Sequence, residues 1–272
     1  MEIYLSIETQ EVLLRFQRGF FIITSFMNII SLFYLIKETP PNQAQIRAYL
    51  LFLQVLVIIS SVYLDVFFVP IPLFPAIAGY CVGLLCTDAF PLNQLLGVFI
   101  LILVLVGSSI LSCSIYRHQT IIPASNPLRV SKISYNLTWI IDRGRFFAHE
   151  KTNFMQILIN MVIINLLLCT AIVILLFWHM LRVLRASTHK SASTVNRTRR
   201  SLVVLFIQIA VPVDFIVIPA LVLFTSMACD CIPFEVTLPA YGVLTLHPFA
   251  HNLILLTITP TYRRIIIAKI RK

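Results

Sequence analysis

The sequence predicts an all-α integral membrane protein, a helical bundle with six clear transmembrane helices. Three observations carry this reading. The 272-residue chain is 59% hydrophobic and only 12% charged, whereas soluble domains run at about 25% charged and 45–50% apolar; its mean hydropathy is +0.92. The apolar residues fall into long charge-free runs, and a crossing helix needs about 20 of them, because each adds about 1.5 Å of rise across a hydrocarbon core about 30 Å thick. The basic residues gather between the runs. Together these exclude an ordinary cytosolic enzyme, a disordered chain and a nucleic-acid-binding domain. The net charge of +10 therefore reads as membrane topology, not as a nucleic-acid partner. Six cysteines, widely scattered, do not make a disulfide scaffold.

Each helix follows from a run. The first covers about 19–36, between Arg18 and Lys37. Acidic Glu2, Glu8 and Glu11 precede it, and the run is too long for the apolar part of a cleaved leader, so it is expected to stay as a helix. The second covers 48–69 and carries Asp65 near its outer end, where a charge is cheap; the third covers 92–116 and stops at Arg117. The remaining helices cover 153–181, 201–225, interrupted by Asp214, and 238–259. No internal repeat or linker divides the chain, so one membrane domain is expected over 1–272.

Charge then orients the runs. The connection 117–151 holds six Lys or Arg, the segment 182–200 another six and the tail from Arg263 five, while 70–88 and 230–235 hold none. Basic connections stay on the cytoplasmic side, so the first three are inside and the last two outside. One helix, 153–181, does not join two inside segments, and a further crossing is needed between Arg117 and Lys151. The apolar piece there, Ile133–Ile141, has nine residues, about 14 Å of helix, too short to span. Three explanations stay open: a missing fourth helix with its outer loop, a distorted crossing that buries Arg143 and Arg145, or a true six-helix protein with its first three helices inverted.

Three stretches carry a resemblance. Pro70-Ile71-Pro72-Leu73-Phe74-Pro75, followed by Ala78-Gly79-Tyr80, puts three prolines in six residues and forbids regular helix; Tyr116-Arg117-His118-Gln119 ends the third helix; Thr259-Pro260-Thr261-Tyr262-Arg263-Arg264 follows the last. In this order they resemble the nematode chemosensory seven-helix receptors, serpentine receptor class i or the closely related class h. The resemblance runs from about Gly19 to the C-terminus. It implies a rhodopsin-like, GPCR-type bundle in the plasma membrane of a sensory neuron, with a small-molecule ligand, a heterotrimeric G protein and the lipid bilayer as partners. Such receptors usually run longer, and the deficit falls between Arg117 and Lys151, where the charge parity also fails. The fourth receptor helix is thus missing or degenerate.

Candidate functional residues follow. Arg117 and His118 stand at the inner end of the third helix, and Arg197, Arg199 and Arg200 precede the helix at 201–225; in the receptor reading these face the G protein, while in a plain reading they mark the membrane interface. No acidic residue precedes Arg117, since Ser114, Ile115 and Tyr116 do, so a counter-charge has to come from elsewhere. Asp214 lies 14 residues past Arg200, about 21 Å into its helix. His247 and His251 lie 16 and 12 residues before Arg263, about 24 and 18 Å deep. Intramembrane carboxylates face a protein interior or a wet cavity, so two arrangements are open for Asp214: pairing with His247 or His251 in a ligand cavity or latch, or a protonated carboxyl bonded to backbone. The four-residue histidine spacing also suits a metal, but the other histidines are scattered, so no metal, cofactor or catalytic constellation is expected. Cys81 or Cys86 bridged to Cys229 or Cys231 is one arrangement open at the outer face. The sequons at Asn136 and Asn196 fall in segments assigned inside. The tail 261–272 alternates isoleucine with basic residues and suits a helix on an anionic leaflet. The rival readings are a small transporter or channel subunit and a truncated, non-functional receptor relative.

Overall fold

The computed structural model describes residues 7–39, 44–72, 79–87, 90–122, 126, 152–186, 203–204, 206–207, 210–211, 213–229 and 232–270. The expected stretch of the fourth helix, both sequons and Arg197, Arg199 and Arg200 lie outside these residues.

Among the described residues seven continuous α-helices and one small hairpin carry the fold. Helix α1 runs Ile7–Lys37, starting a full three turns before the apolar run because Glu8, Glu11 and Arg15 are helix-compatible and Arg15 pairs with Glu11 at 3.0 Å. Helix α2 runs Ala44–Val62 and widens into a π-helical stretch, Tyr63–Phe68. Strands β1, Pro70–Pro72, and β2, Gly79–Cys81, pair antiparallel with Ile71 opposite Tyr80. Then come α3, Leu92–Ile121, and α4, Thr152–Ala186. A second π-helical stretch, Val213–Val217, leads into α5, Ile218–Cys229. Helix α6 runs Phe234–Ile258 with Pro239 and Pro248 inside it, and α7 runs Pro260–Ile270. Five helical segments are long and apolar enough to cross a membrane, and Val213–Ser226 forms a shorter apolar helix where the run 201–225 was expected.

The crossing helices close into a ring. Helix α1 packs on α2, α2 on α3, α3 on α4, α4 on α5, α5 on α6, and α6 returns to α1. Apolar side chains point out as well as in: Ile157, Met161, Ile164, Leu168 and Leu175 are exposed along α4, and Ile22, Phe26 and Ile29 along α1. In water this would be an aggregation surface; in a bilayer it is the lipid-facing side. Three serine hydroxyls of α3 are satisfied against their own backbone. Ser108 donates to the Val104 carbonyl, Ser112 to Ser108 and Ser114 to Ile110, at 2.8–2.9 Å, because hydrocarbon offers no other acceptor.

The outer ends of α2 and α3 are tied by backbone. Three N–H groups, from Val82, Leu84 and Leu85, donate to the carbonyls of Val69, Val66 and Phe67 at 2.9–3.2 Å, filling acceptors that the helix end leaves open. The approach is so close that a Cβ on Gly83 would overlap the Phe67 carbonyl. Val69 sits at φ 29°, a conformation unusual for a β-branched residue, where the chain turns from helix to strand. Cys81 is bridged to Cys86 within this loop. The structure thus replaces the longer bridge to Cys229 or Cys231 with a local one, because the tight turn at Gly83 brings the two sulfurs together first.

The inner end is closed differently. Tyr34, Leu35, Leu255, Leu256 and Tyr262 form one buried cluster where α1, α6 and α7 meet. The Thr39 and Tyr262 hydroxyls lie 2.8 Å apart, and Thr39 also donates to the Leu35 carbonyl at 2.8 Å.

Candidate functional site

Helix α6 carries a column of polar side chains through the bundle, and each level meets different neighbours. At the outer level is Tyr241, close enough to sense the charge of Asp65. Gln17 of α1 donates to one Asp65 oxygen at 2.8 Å and Ser61 to the other at 3.3 Å. Asp65 is therefore built into the α1–α2 seam and is more than a boundary charge. The Tyr241 hydroxyl is buried beside the same Gln17.

About two to three turns deeper, His247 and His251 lie with ring centroids 5.9 Å apart, both buried. The Nε2 of His247 has no partner. Beside them is a cluster that residue charge gave no hint of. Gln54 donates one N–H to Asn28 Oδ1 at 3.0 Å and the other to Asn252 Oδ1 at 2.9 Å. Asn252 in turn donates to Asn28 Oδ1 at 2.6 Å and to the Pro248 carbonyl at 2.7 Å. Three carboxamides from α1, α2 and α6 thus form a closed triangle, with Gln54 and Asn252 at 0% exposure.

Lowest is Arg117. Helix α3 continues to Ile121, past the end expected at 116, so Arg117 lies inside the helix. It faces a cavity of about 30 Å³ that is also lined by Ser114, Cys113, His251, Leu50 and Val211. Its Nε is buried and has no hydrogen-bond partner. The same extension turns His118 inward: it is 2% exposed, with Nε2 at 2.8 Å from Nδ1 of His179 on α4. His118 therefore joins α3 to α4 and does not offer its ring to a cytoplasmic partner.

Asp214 departs from expectation as well. Its carboxylate is exposed, and among the described residues no hydrogen bond or ion pair joins it to His247 or His251. The π-helical stretch Val213–Val217 is the reason: its wider turn rotates the register so that Ile216, at 5% exposure, faces the interior in place of Asp214. The structure brings His247, His251 and Arg117 to one side of the bundle and leaves Asp214 off it. Among the described residues no group of three His, Cys, Asp or Glu side chains comes together.

A ring of apolar helices with a polar column inside, a proline-marked last crossing and a short helix after it is the architecture of a membrane receptor. Residues 8–142 match the family described as serpentine type 7TM GPCR chemoreceptor Sri, and residues 138–272 match serpentine type 7TM GPCR chemoreceptor Srh. The chain belongs to the serpentine chemoreceptors. No curated protein and no solved structure matches it. The two matches of this receptor meet over 138–142, inside the segment where the charge parity fails and where the seventh crossing of the family is due. The outer proline stretch and the Thr259–Arg264 ending, which suggested the family, fall one in each match.

Proposed function

We propose that this chemoreceptor binds a small environmental chemical from the outer face of the plasma membrane of a sensory neuron and signals to a heterotrimeric G protein. The observation that carries the reading is the unpartnered buried Nε2 of His247 on α6. Buried polar atoms are normally satisfied, and a small ligand with one complementary polar group would complete it. A ligand that seats on His247 bears on the helix that also carries His251 beside the Arg117 cavity. In this reading the basic segment that the sequence assigns to the cytoplasm, with Arg197, Arg199 and Arg200, meets the G protein, where arginine suits carboxylate recognition.

The test is expression in cultured cells with surface labelling, challenge with a panel of small alcohols, ketones, esters and carboxylic acids, and a cyclic-nucleotide and calcium readout. A response is expected, with potency falling about tenfold in His247→Phe at equal surface level, the equivalent of one lost hydrogen bond. An unchanged response in His247→Phe, or silence across the panel from a surface-expressed receptor, would count against the reading.

A further inference from the structure

Arg117 poses a charge problem that the described residues leave unsolved. A guanidinium keeps its proton in any protein environment, so it is a permanent cation. Here its Nε is buried without a partner, one turn inside α3. Burial of a cation is costly unless a counter-charge is near. No carboxylate supplies it among the described residues, where the ion pair formed is Arg15 with Glu11 at the far end of the bundle. Asp214 is on a neighbouring element, three residues past the cavity-lining Val211, but it is exposed and does not line the cavity.

Beside the guanidinium is the cavity of about 30 Å³. A site needs only about 10–15 Å³ to hold one water-sized body, so there is room for a monatomic anion and not for a carboxylate-bearing chain or a phosphate ester. His251, buried on α6, lines the same space and brings a ring N–H as a second donor. The other walls are mostly hydrocarbon, from Leu50, Leu53, Ile110 and Leu255. A water molecule would satisfy a donor but leave the charge unbalanced, and a metal cation would add to it.

We propose that this cavity is an anion-binding site that takes chloride as the diffusible counter-charge of Arg117, held between the guanidinium on α3 and the His251 N–H on α6. The bound ion ties the inner halves of these two helices in the ligand-free receptor. The site is independent of the chemical sensed at the outer face.

The test is thermal unfolding of the full chain in detergent, in sodium gluconate against sodium chloride, bromide, iodide and acetate at equal ionic strength. The midpoint is expected to rise by about 2–4 °C in chloride and to saturate with its concentration, as binding to the folded state alone requires; acetate should match gluconate. Arg117→Met should abolish the chloride shift, His251→Phe should reduce it and Asp214→Asn should leave it intact. Equal midpoints in gluconate and chloride for the unaltered protein would overturn the proposal, as would a shift that survives in Arg117→Met. Loss of the shift in Asp214→Asn would make that carboxylate the counter-charge and overturn it too. Should Arg117→Met fail to fold, chloride NMR line broadening on the unaltered protein decides: saturable broadening displaced by bromide supports the site, and its absence sinks it. A receptor silent to every chemical but stabilised by chloride would leave this site standing while the ligand reading fell.

Discussion

Asn252 and His251 are consecutive residues of α6, yet they enter polar clusters of opposite kind. Asn252 joins a triangle in which the donors of both Gln54 and Asn252 are used and Asn28 Oδ1 accepts twice. His251 opens onto a cavity with a guanidinium whose Nε has no partner. In the carboxamide set the donors of Gln54 and Asn252 all find acceptors and one acceptor, Gln54 Oε1, is left over; the groups are neutral and bond across three helices, so they fasten α1, α2 and α6 together. A set with an unanswered charge has two ways to improve, by taking up an ion or by changing shape. Rigid seam and responsive seam are thus built one residue apart, from the same helix, by the difference between neutral groups that bond to one another and a cation with an unpaired Nε.

The largest effect is expected where the carboxamide set is broken. Asn252→Leu removes three hydrogen bonds and strands one donor of Gln54 in hydrocarbon; with interhelical bonds in membranes at about 0.6–1.7 kcal/mol each, the loss is about 2 kcal/mol. A fall in the unfolding midpoint on the order of 4–8 °C follows, measured in detergent, and an unaltered midpoint would remove the triangle from its fastening role. A smaller effect belongs to the His118–His179 pair. His118→Phe leaves His179 without its buried partner and should lower stability by about 1 kcal/mol, while His118→Phe with His179→Phe should recover part of that loss, since replacing both partners is gentler than orphaning one. A double variant no better than the single would show that the 2.8 Å contact contributes little.

The smallest effect is at the inner rim. Tyr262→Phe deletes the hydroxyl contact with Thr39, worth about 0.5 kcal/mol. Burial raises the Tyr262 phenol above its ordinary 10.0, against a lowering by the Thr39 hydrogen bond. The folded state therefore holds this proton more tightly than the unfolded one. Its contribution is full below pH 10 and is lost as pH rises through the folded value. Protease protection of α7 should decline across that alkaline window in the unaltered protein and stay flat in Tyr262→Phe.

Much of the bundle was legible because hydrocarbon tolerates few charges: Arg18 and Lys37, Arg47 and Asp65, and Asp88 and Arg117 bracket the first three runs. The same rule misplaced the end of α3. A charged residue ends an apolar run, but it does not end a helix, and Arg117 and His118 continue the hydrogen-bonded spiral to Ile121. The carboxamide triangle escaped notice because Asn28, Gln54 and Asn252 carry no charge; their positions, each deep in its run, were the available signal. Asp214 misled for another reason. Its depth was readable from residue spacing, but its direction was set by a π-helical turn, and spacing at 3.6 residues per turn does not foresee that change.

The Cys81–Cys86 bridge has a consequence for how the mouth of the bundle behaves. Its sulfurs are spent on each other, within a loop that is already pinned to the end of α2. Together with the backbone bonds from Val82, Leu84 and Leu85 it makes the loop a short clamp on the end of α2, a brace built from one stretch of chain and independent of where the other helices end.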